Sequence, residues 1–199
     1  MKIGVLNIQG AVSEHFSMIN KTFKELEIKG KIILVKNKED VKQIDGLILP
    51  GGESTTISRL ILKTGIHDMI LKRVENKDLP IMGTCAGSIL LAKKVKNQQK
   101  KNIKTLEIMD MEIERNAFGR QKESFEADIQ IKGLDAPFHA VFIRAPIIRK
   151  TWGSCKPLSN LNKETIIAAQ QDNLIALTFH PELTEDTRIH KYFLKIIKE

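Results

Sequence analysis

Short apolar runs alternate with amphipathic stretches through the first half of the chain. Four of these runs predict buried strands, at residues 2–8, 31–35, 46–49 and 80–83. After the first run, apolar residues recur at spacings of three and four, the period of a helix with one buried face: Val12, Phe16, Ile19, Phe23 and Leu26. This alternation of strand and helix predicts a parallel sheet with helices on both faces.

The turns after the third and fourth strands carry signals for helix starts. Pro50-Gly51-Gly52 ends the third strand, and Ser54-Thr55-Thr56 can cap the next helix. We predict a further helix over about residues 67–75 and another that begins near Cys85. Because ligands of open α/β sheets bind at the carboxyl ends of the strands, a functional site is expected in the loops that leave them.

The second half of the chain is dominated by strand-like runs, at residues 111–114, 125–131, 140–144, 165–170 and 174–179. Because few helices separate them, some must pair antiparallel, and the polar break Asp172-Asn173 fits a hairpin. An amphipathic helix with Tyr192, Phe193, Ile196 and Ile197 closes the chain. No segment has linker composition, so we predict one α/β domain over residues 1–199, with a mixed, mainly parallel sheet.

Composition is that of an ordinary globular protein. Of the 199 residues, 42% are hydrophobic and 28% charged, which allows a sizeable core. The formal net charge is +8, and the densest basic stretch is residues 93–102. That stretch has neither aromatic residues for base stacking nor a regular helical face. We interpret it as a solvated surface loop and expect no nucleic-acid partner.

Cysteine use and hydropathy indicate a cytoplasmic protein. Cys85 and Cys155 are too few and too widely spaced for a disulfide framework, and no cluster of metal ligands surrounds either one. The apolar run at residues 2–8 is too short for a signal peptide. No window approaches the ~18 apolar residues of a membrane span. We expect reduced thiols, no metal site and no membrane association.

Gly83-Thr84-Cys85-Ala86-Gly87 is the most specific chemical signal. It follows a strand, precedes a helix and has the form G-x-C-x-G, the thiol counterpart of the nucleophile elbow. Its glycines allow a sharp turn that exposes the thiol, and a helix start favours the thiolate. For these five residues alone, a buried and inert cysteine is an equally good interpretation.

His180-Pro181-Glu182 shifts that balance toward catalysis. His180 ends an apolar run, and Pro181 breaks the strand there. In an extended segment Glu182 faces the same side as His180, where a carboxylate can orient an imidazole. By itself such a tripeptide is more often a turn with a surface carboxylate. Together with the elbow it predicts a nucleophile, a base and an orienting carboxylate: Cys85, His180 and Glu182.

A glycine turn, Gly51-Gly52-Glu53-Ser54, lies at another strand end. Backbone N–H groups of such a turn can approach a developing oxyanion, and the N–H of Ala86 would join them. A helix-capping turn and a phosphate cradle are the alternatives, although the lysine of a P-loop is missing. The turn therefore fits an oxyanion hole better than a nucleotide site.

These three motifs, in this order, resemble those of the class I glutamine amidotransferases. The likeness covers nearly the whole chain and is strongest to the glutaminase subunits of pyridoxal 5′-phosphate synthases. It is carried by residues 6–15, 49–56, 83–87, 114–121, 124–127, 142–146 and 179–184. The resemblance implies a three-layer, flavodoxin-like α/β domain.

The resemblance also implies roles for individual residues. Cys85 would be the nucleophile, His180 the general base and acid, and Glu182 the group that orients His180. L-glutamine would be bound by Gly52, Glu53, Ser54, Arg115, Ile143 and Arg144, and the oxyanion by the N–H groups of Gly52 and Ala86. No cofactor is implied. Ammonia would pass to a synthase subunit, the expected partner in a large hetero-oligomer that makes pyridoxal 5′-phosphate.

The chain departs from the family pattern at two places. Lys104-Thr105-Leu106 stands where relatives have a glycine-rich turn, and Ser88 stands where a bulky apolar residue is common. Two other functions remain open, besides a nucleic-acid binder that only the net charge of +8 supports. An amidotransferase subunit of imidazole or purine synthesis would share the triad without needing the motif at residues 114–121. A non-catalytic binding module on the same fold is the alternative outside enzymes, and the intact triad argues against it.

Overall fold

A large mixed sheet forms the centre of the protein. The computed structural model describes residues 1–96, 103–115, 117 and 124–198. Within these ranges the strands are β1 (Lys2–Leu6), β2 (Lys31–Val35), β3 (Gly46–Leu49), β4 (Ile81–Thr84), β5 (Ala92–Lys96), β6 (Met109–Glu114), β7 (Ser124–Ile129), β8 (Phe138–Ile143), β9 (Ile147–Thr151), β10 (Lys156–Asn162), β11 (Thr165–Gln171) and β12 (Leu174–Leu177). The helices are α1 (Val12–Glu25), α2 (Lys38–Lys42), α3 (Ser54–Lys63), α4 (Ile66–Glu75), α5 (Ala86–Leu91) and α6 (Arg188–Lys198), and a 3₁₀ turn spans Pro181–Leu183.

The order of the strands joins the two halves of the chain. In the described residues the main sheet runs β2-β1-β3-β4-β12-β11-β9-β6-β5, with β10 paired to β11. Strands β2, β1, β3, β4 and β12 are parallel neighbours, whereas β11 pairs antiparallel with β12, β9 and β10. The five parallel strands follow the flavodoxin-like order, and the predicted α/β class with a mixed sheet is confirmed.

Helices cover both faces of this sheet, each over its own apolar core. On one face, side chains such as Leu47 and Leu49 of β3 pack with α2 to α5. On the other, Ile48 packs with α1, α6 and the β7–β8 hairpin. Successive residues of β3 point to opposite faces because side chains alternate along a strand. No helix among the described residues is long and apolar enough to cross a membrane.

The buried face of α1 differs from the predicted one. Ile19 and Phe23 are buried as expected, but Phe16 is 38% exposed and Leu26 41% exposed. The polar residues His15 and Thr22 are buried instead, alongside Met18. The Thr22 hydroxyl donates to the Met18 carbonyl at 2.8 Å, and His15 contacts polar groups beneath the helix. Hydrogen bonds therefore override the apolar periodicity here.

Several short elements lie outside the predicted set: α2, β5, β9 and β10. Helix α2 has only five residues and is fixed by a capping box between Asn37 and Asp40 rather than by an apolar stripe. The lysine-rich stretch was predicted as a loop, but residues 93–96 belong to the edge strand β5. Lys93 there pairs with Asp110 of β6. Residues 97–102 of the stretch lie outside the described part of the chain.

The start of α3 also differs from the prediction. The N-cap is Glu53, not the Ser54-Thr55-Thr56 segment, and its carboxylate accepts the N–H groups of Thr55 at 3.1 Å and Thr56 at 2.6 Å. Burial raises the pKa of Glu53, but the hydrogen bonds from Thr56 and Thr55 outweigh it and hold the pKa at about 2. Glu53 therefore stays ionised while it caps the helix.

Glu53→Ala is expected to lower the free energy of unfolding at neutral pH by about 0.5–2 kcal/mol, the usual cost of losing a side-chain cap. Because the pKa of Glu53 is lowered on folding, its contribution is present above about pH 4.5 and disappears as the pH falls toward about 2. Urea unfolding at several pH values measures this difference, with the exposed turn variant Glu164→Ala as control. Equal loss in both variants, or a loss independent of pH, would contradict the capping role.

Candidate active site

The carboxyl ends of β1, β3, β4 and β12 meet at one edge of the sheet. Parallel pairing aligns β4 with β12 so that Thr84 lies opposite Leu177. The residues that follow are Cys85 after β4 and the segment leading to His180 after β12. Two residues 95 positions apart in the sequence are thereby brought to neighbouring strand ends, where open α/β sheets bind their ligands.

Cys85 occupies a strained turn between β4 and α5. Its backbone has φ 47° and ψ −106°. Residues other than glycine rarely adopt this conformation, which costs on the order of 1–3 kcal/mol. The Cys85 N–H donates to the Leu177 carbonyl at 2.8 Å. The Cys85 carbonyl accepts the hydroxyl of Ser88 at 2.6 Å and its N–H at 3.1 Å. These bonds fix the strained residue from both sides and give Ser88 a defined place.

The two glycines around Cys85 serve close approach rather than the turn itself. In the structure the positive φ belongs to Cys85 and to neither Gly83 nor Gly87. A Cβ at Gly87 would lie 1.9 Å from the Leu49 carbonyl oxygen, and one at Gly83 would lie 2.7 Å from the Gly87 carbonyl group. The predicted elbow forms, but the physical reason for its glycines was wrong. They let α5 pack directly on β3 and β4.

His180 and Glu182 form a buried pair beside the cysteine. His180 Nδ1 lies 2.7 Å from Glu182 Oε1, and the Glu182 side chain has no exposed surface. The segment is not extended as predicted, because Pro181 begins the 3₁₀ turn and Glu182 lies within it. The tight turn, rather than strand alternation, brings the carboxylate under the imidazole.

The ionisation of His180 depends on both neighbours. Burial lowers its pKa, but hydrogen bonds to Cys85 and to Glu182 outweigh burial and raise the pKa to about 10. With Nδ1 bound to Glu182, Nε2 is the nitrogen that remains for the thiol. A protonated imidazole beside the sulfur favours the thiolate, which is the nucleophilic form of cysteine. Gly51 packs directly against the His180 ring, and a Cβ at this position would lie only 2.4 Å from His180 Cε1.

The loop after β1 is hydrogen-bonded to the glycine turn after β3. The Gly51 carbonyl accepts the Ala11 N–H at 3.1 Å, and the Glu53 N–H donates to Gln9 Oε1 at 2.7 Å. Gly10 has φ 114°, and a Cβ there would lie 1.8 Å from the Gly51 oxygen. The orientation of the Gly51–Gly52 peptide thus depends on the conformation of a neighbouring loop.

An open cavity of about 530 Å³ lies over the thiol. This volume is within the range typical of small-molecule sites. Its lining includes nine of the ten residues predicted for the site: Gly52, Glu53, Ser54, Cys85, Ala86, Arg115, Ile143, Arg144 and His180. Glu182 is the exception and lies behind His180. The structure therefore brings the residues predicted from the sequence together, nearly all around one cavity.

The walls of the cavity hold two arginines and one carboxylate. Arg115 Nη2 lies 3.8 Å from Glu53 Oε1, and Arg144 has a positive φ of 45°. The Ile143 carbonyl lies 3.9 Å from the Cys85 sulfur. Because Glu53 caps α3, its carboxylate is already occupied by backbone N–H groups. Both arginines line the cavity together with Glu53.

A model of the SNO glutamine amidotransferase family matches residues 5–199 of this sequence. The chain belongs to this family. Two similar relatives are pyridoxal 5′-phosphate synthase subunits PdxT. The one from Staphylothermus marinus is 50% identical over 206 aligned positions, covering 100% of both chains. The one from Pyrococcus furiosus is 50% identical over 198, covering 99% of each.

Solved structures agree with this family membership. A crystal structure described as a glutamine amidotransferase superposes with a TM-score of 0.88 at 43% identity, covering 99% of each chain. A glutamine amidotransferase from Thermotoga maritima reaches 0.63 at 13% identity, covering 100% of this chain and 84% of its own. At that low identity the second likeness shows the fold alone.

Part of the family motif at residues 114–121 cannot be placed. Asn116 and residues 118–121 lie outside the described part of the chain, whereas Glu114 ends β6 and Arg115 follows it. Among the described residues no group of three or more His, Cys, Asp or Glu side chains could hold a metal ion.

Four polar residues near the site were not assigned a role from the sequence: Gln9, His15, Thr84 and His190. Gln9 contacts the glycine turn, and His15 lies 3.4 Å from Glu182. A lone histidine on an amphipathic helix gives no signal that it is buried beside a carboxylate. Only the tertiary structure shows that the side of α1 carrying His15 faces inward.

Iodoacetamide at neutral pH is expected to label Cys85 more than about tenfold faster than Cys155. The Cys85 sulfur lies beside His180, whose pKa is raised to about 10, whereas burial raises the pKa of the Cys155 thiol to about 11. Peptide mass spectrometry of the partially labelled protein measures both rates in one sample. His180→Asn should remove most of the difference, and unfolding in urea should abolish it. Faster labelling of Cys155 in the folded protein would contradict this assignment.

Proposed function

We propose that this protein hydrolyses L-glutamine to L-glutamate and ammonia with a catalytic triad of Cys85, His180 and Glu182. The observation that carries the proposal is the position of Cys85, which has a strained backbone and lies beside His180, whose pKa is raised to about 10. The adjoining cavity has room for an amino acid. Membership of a glutamine amidotransferase family supports glutamine as the substrate.

The proposed reaction proceeds through a thioester. The Cys85 sulfur attacks the carboxamide carbon, and the carbonyl oxygen becomes an oxyanion held by the N–H groups of Gly52 and Ala86. Protonated His180 donates its Nε2 proton to the leaving nitrogen as the C–N bond breaks, and ammonia departs. His180 then takes a proton from water, which attacks the thioester and releases glutamate and the thiolate. Glu182 keeps the imidazole oriented and stabilises its charge.

We further propose that Gly52, Glu53, Ser54, Arg115, Ile143 and Arg144 bind glutamine. Glutamine carries an α-carboxylate and an α-ammonium group far from the carboxamide that reacts. Arg115 or Arg144 can hold the carboxylate, since both line the cavity. Charge-assisted hydrogen bonds of this kind contribute more to binding than neutral ones do.

The relatives indicate where the ammonia goes. They are pyridoxal 5′-phosphate synthase subunits, and they match this chain from end to end at about half identity. We propose that this chain supplies ammonia to a synthase subunit for pyridoxal 5′-phosphate synthesis, as one domain within a large hetero-oligomer. These relatives favour this pathway over imidazole or purine synthesis. Both cysteines are free thiols, which fits a cytoplasmic, reducing setting.

Cys85→Ser is expected to reduce ammonia release by on the order of 10⁴-fold or more with the fold preserved, because loss of a nucleophile in such triads has effects of this size. The measurement is ammonia release from glutamine with the synthase subunit present. Cys155→Ala is the matched control, since Cys155 is a buried thiol that is not among the residues lining the cavity. Near-normal release by Cys85→Ser, or loss in Cys155→Ala alone, would refute the nucleophile assignment.

The synthase subunit is expected to activate glutamine hydrolysis. The Gly51–Gly52 peptide is held by the Ala11 N–H, the following peptide is held by Gln9, and glycine allows a peptide to reorient at little steric cost. Docking that aims the Gly52 N–H at the oxyanion would add a donor worth about 10² to 10³ in rate. Ammonia release at saturating glutamine, measured with and without the synthase subunit, tests this. Equal turnover in both conditions would show that the site is already assembled.

A further inference from the structure

A chain of buried polar side chains lies behind Glu182. The Glu182 oxygen that faces away from His180, Oε2, lies 3.4 Å from His15 Nε2. The same nitrogen lies 3.1 Å from the Thr84 hydroxyl, and His15 Nδ1 lies 3.4 Å from His190 Nε2. His15 and His190 have no exposed surface. Burying polar groups costs free energy unless they are hydrogen-bonded. A cluster of them beside Glu182 is therefore a candidate for a specific function.

One tautomer of His15 suits these contacts. A carboxylate oxygen only accepts, so His15 Nε2 can act as a donor toward Glu182 only when it carries the hydrogen, and the Thr84 hydroxyl can accept from the same nitrogen. His15 Nδ1 then accepts from His190 Nε2. His190 Nδ1 needs no hydrogen in this arrangement, and it contacts no hydrogen-bond donor among the described residues. In this arrangement His190 of α6 donates to His15 of α1, and His15 donates toward the Glu182 carboxylate.

Both histidines are neutral in this arrangement. Burial lowers the pKa of His15, and this outweighs the opposing effects of the Glu182 and Glu14 charges, while His180 lowers it further. Burial, and then His15, lower the pKa of His190 well below its usual value. Burial raises the pKa of Glu182, but the hydrogen bond and the charge of His180 are among the effects that hold it below its usual value. A neutral N–H on His15 supports the carboxylate without taking its charge away from His180.

We propose that His15 is a positioning residue of the triad, whose Nε2–H holds Glu182 with its other oxygen directed at His180. His190 in turn holds the His15 ring in the required tautomer. In the structure Glu182 Oε2 is buried and has no fully formed hydrogen bond within the described residues, so His15, at 3.4 Å, is the donor within reach. The proposal rests on the proposed function, because it assigns His15 to the same Cys85–His180–Glu182 triad.

His15→Leu removes the donor and keeps an apolar side chain of moderate size. Leaving a buried carboxylate oxygen without a donor is expected to lower kcat for glutamine hydrolysis by about 5- to 100-fold. The KM for glutamine should change less than about twofold, because the cavity lining does not include His15. A residue needed only for packing would lower the melting temperature without moving a pH profile.

The distinguishing measurement is the pH dependence of Cys85 alkylation by iodoacetamide, followed by peptide mass spectrometry on the full chain. Loss of support for Glu182 weakens the charged form of His180, so the midpoint of alkylation should move to higher pH in His15→Leu. His15→Gln places an amide N–H near the position of Nε2 and should restore the midpoint toward wild type, whereas the shorter His15→Asn should not. Because alkylation needs no glutamine, it reports on His15 even if the chain acts on another substrate.

His67→Gln is the matched control, since His67 is also a buried histidine and contacts Asp68 and the Thr105 carbonyl away from the triad. It should leave both kcat and the alkylation midpoint unchanged. If His15→Leu does not fold, the comparison of His15→Gln with His15→Asn decides. An unchanged midpoint in His15→Leu, or equal midpoints in His15→Gln and His15→Asn, would overturn the proposal. Absence of glutamine hydrolysis in the wild-type complex would instead overturn the proposed function.

Discussion

The parallel pairing of β4 with β12 is the constraint on which the candidate site depends. It sets Thr84 opposite Leu177, and the bond from the Cys85 N–H to the Leu177 carbonyl continues the pairing by one residue into the turn. From there β12 leads to His180 and β4 to Cys85. A shift of register by one residue would turn every side chain of a strand to the other face. The thiol and the imidazole would then no longer meet.

Close approach of backbone segments completes the arrangement. Glycines at positions 10, 51, 83 and 87 each lie where a Cβ would come within 3 Å of another residue. Gly87 lets α5 lie against the end of β3, and Gly51 lets the glycine turn after β3 lie against His180. The strained backbone of Cys85 persists because these contacts and its hydrogen bonds over-determine it. The site is thus held by backbone geometry more than by loop side chains.

The buried charges of Glu182 and His180 determine the protonation of the site. Glu182 is buried, which raises its pKa, yet the pKa is lowered overall, with the hydrogen bond and charge of His180 among the causes. The carboxylate and the thiol in turn keep His180 protonated. An ion pair of this kind is expensive to bury unless each member has its partners. The inward-facing histidines of α1 and α6, His15 and His190, lie next to this buried pair.

The sequence by itself determined the alternation of elements in the first half, the strand-rich second half and the residues that gather at the cavity. Those conclusions depend on local patterns: apolar periodicity, glycine and proline positions, and motifs at strand ends. The inward face of α1, the capping role of Glu53, the edge strand β5 and the reason for the glycines around Cys85 were decided only by the tertiary structure. The cap of α3 has local partners, Thr55 and Thr56, and the sequence offered Ser54 as an equally good capping residue. The face of α1, the edge strand and the glycines depend on partners distant in the sequence, which leave no local pattern. His15 shows this best, since its contacts with Glu182 and His190 span 167 and 175 positions in the chain.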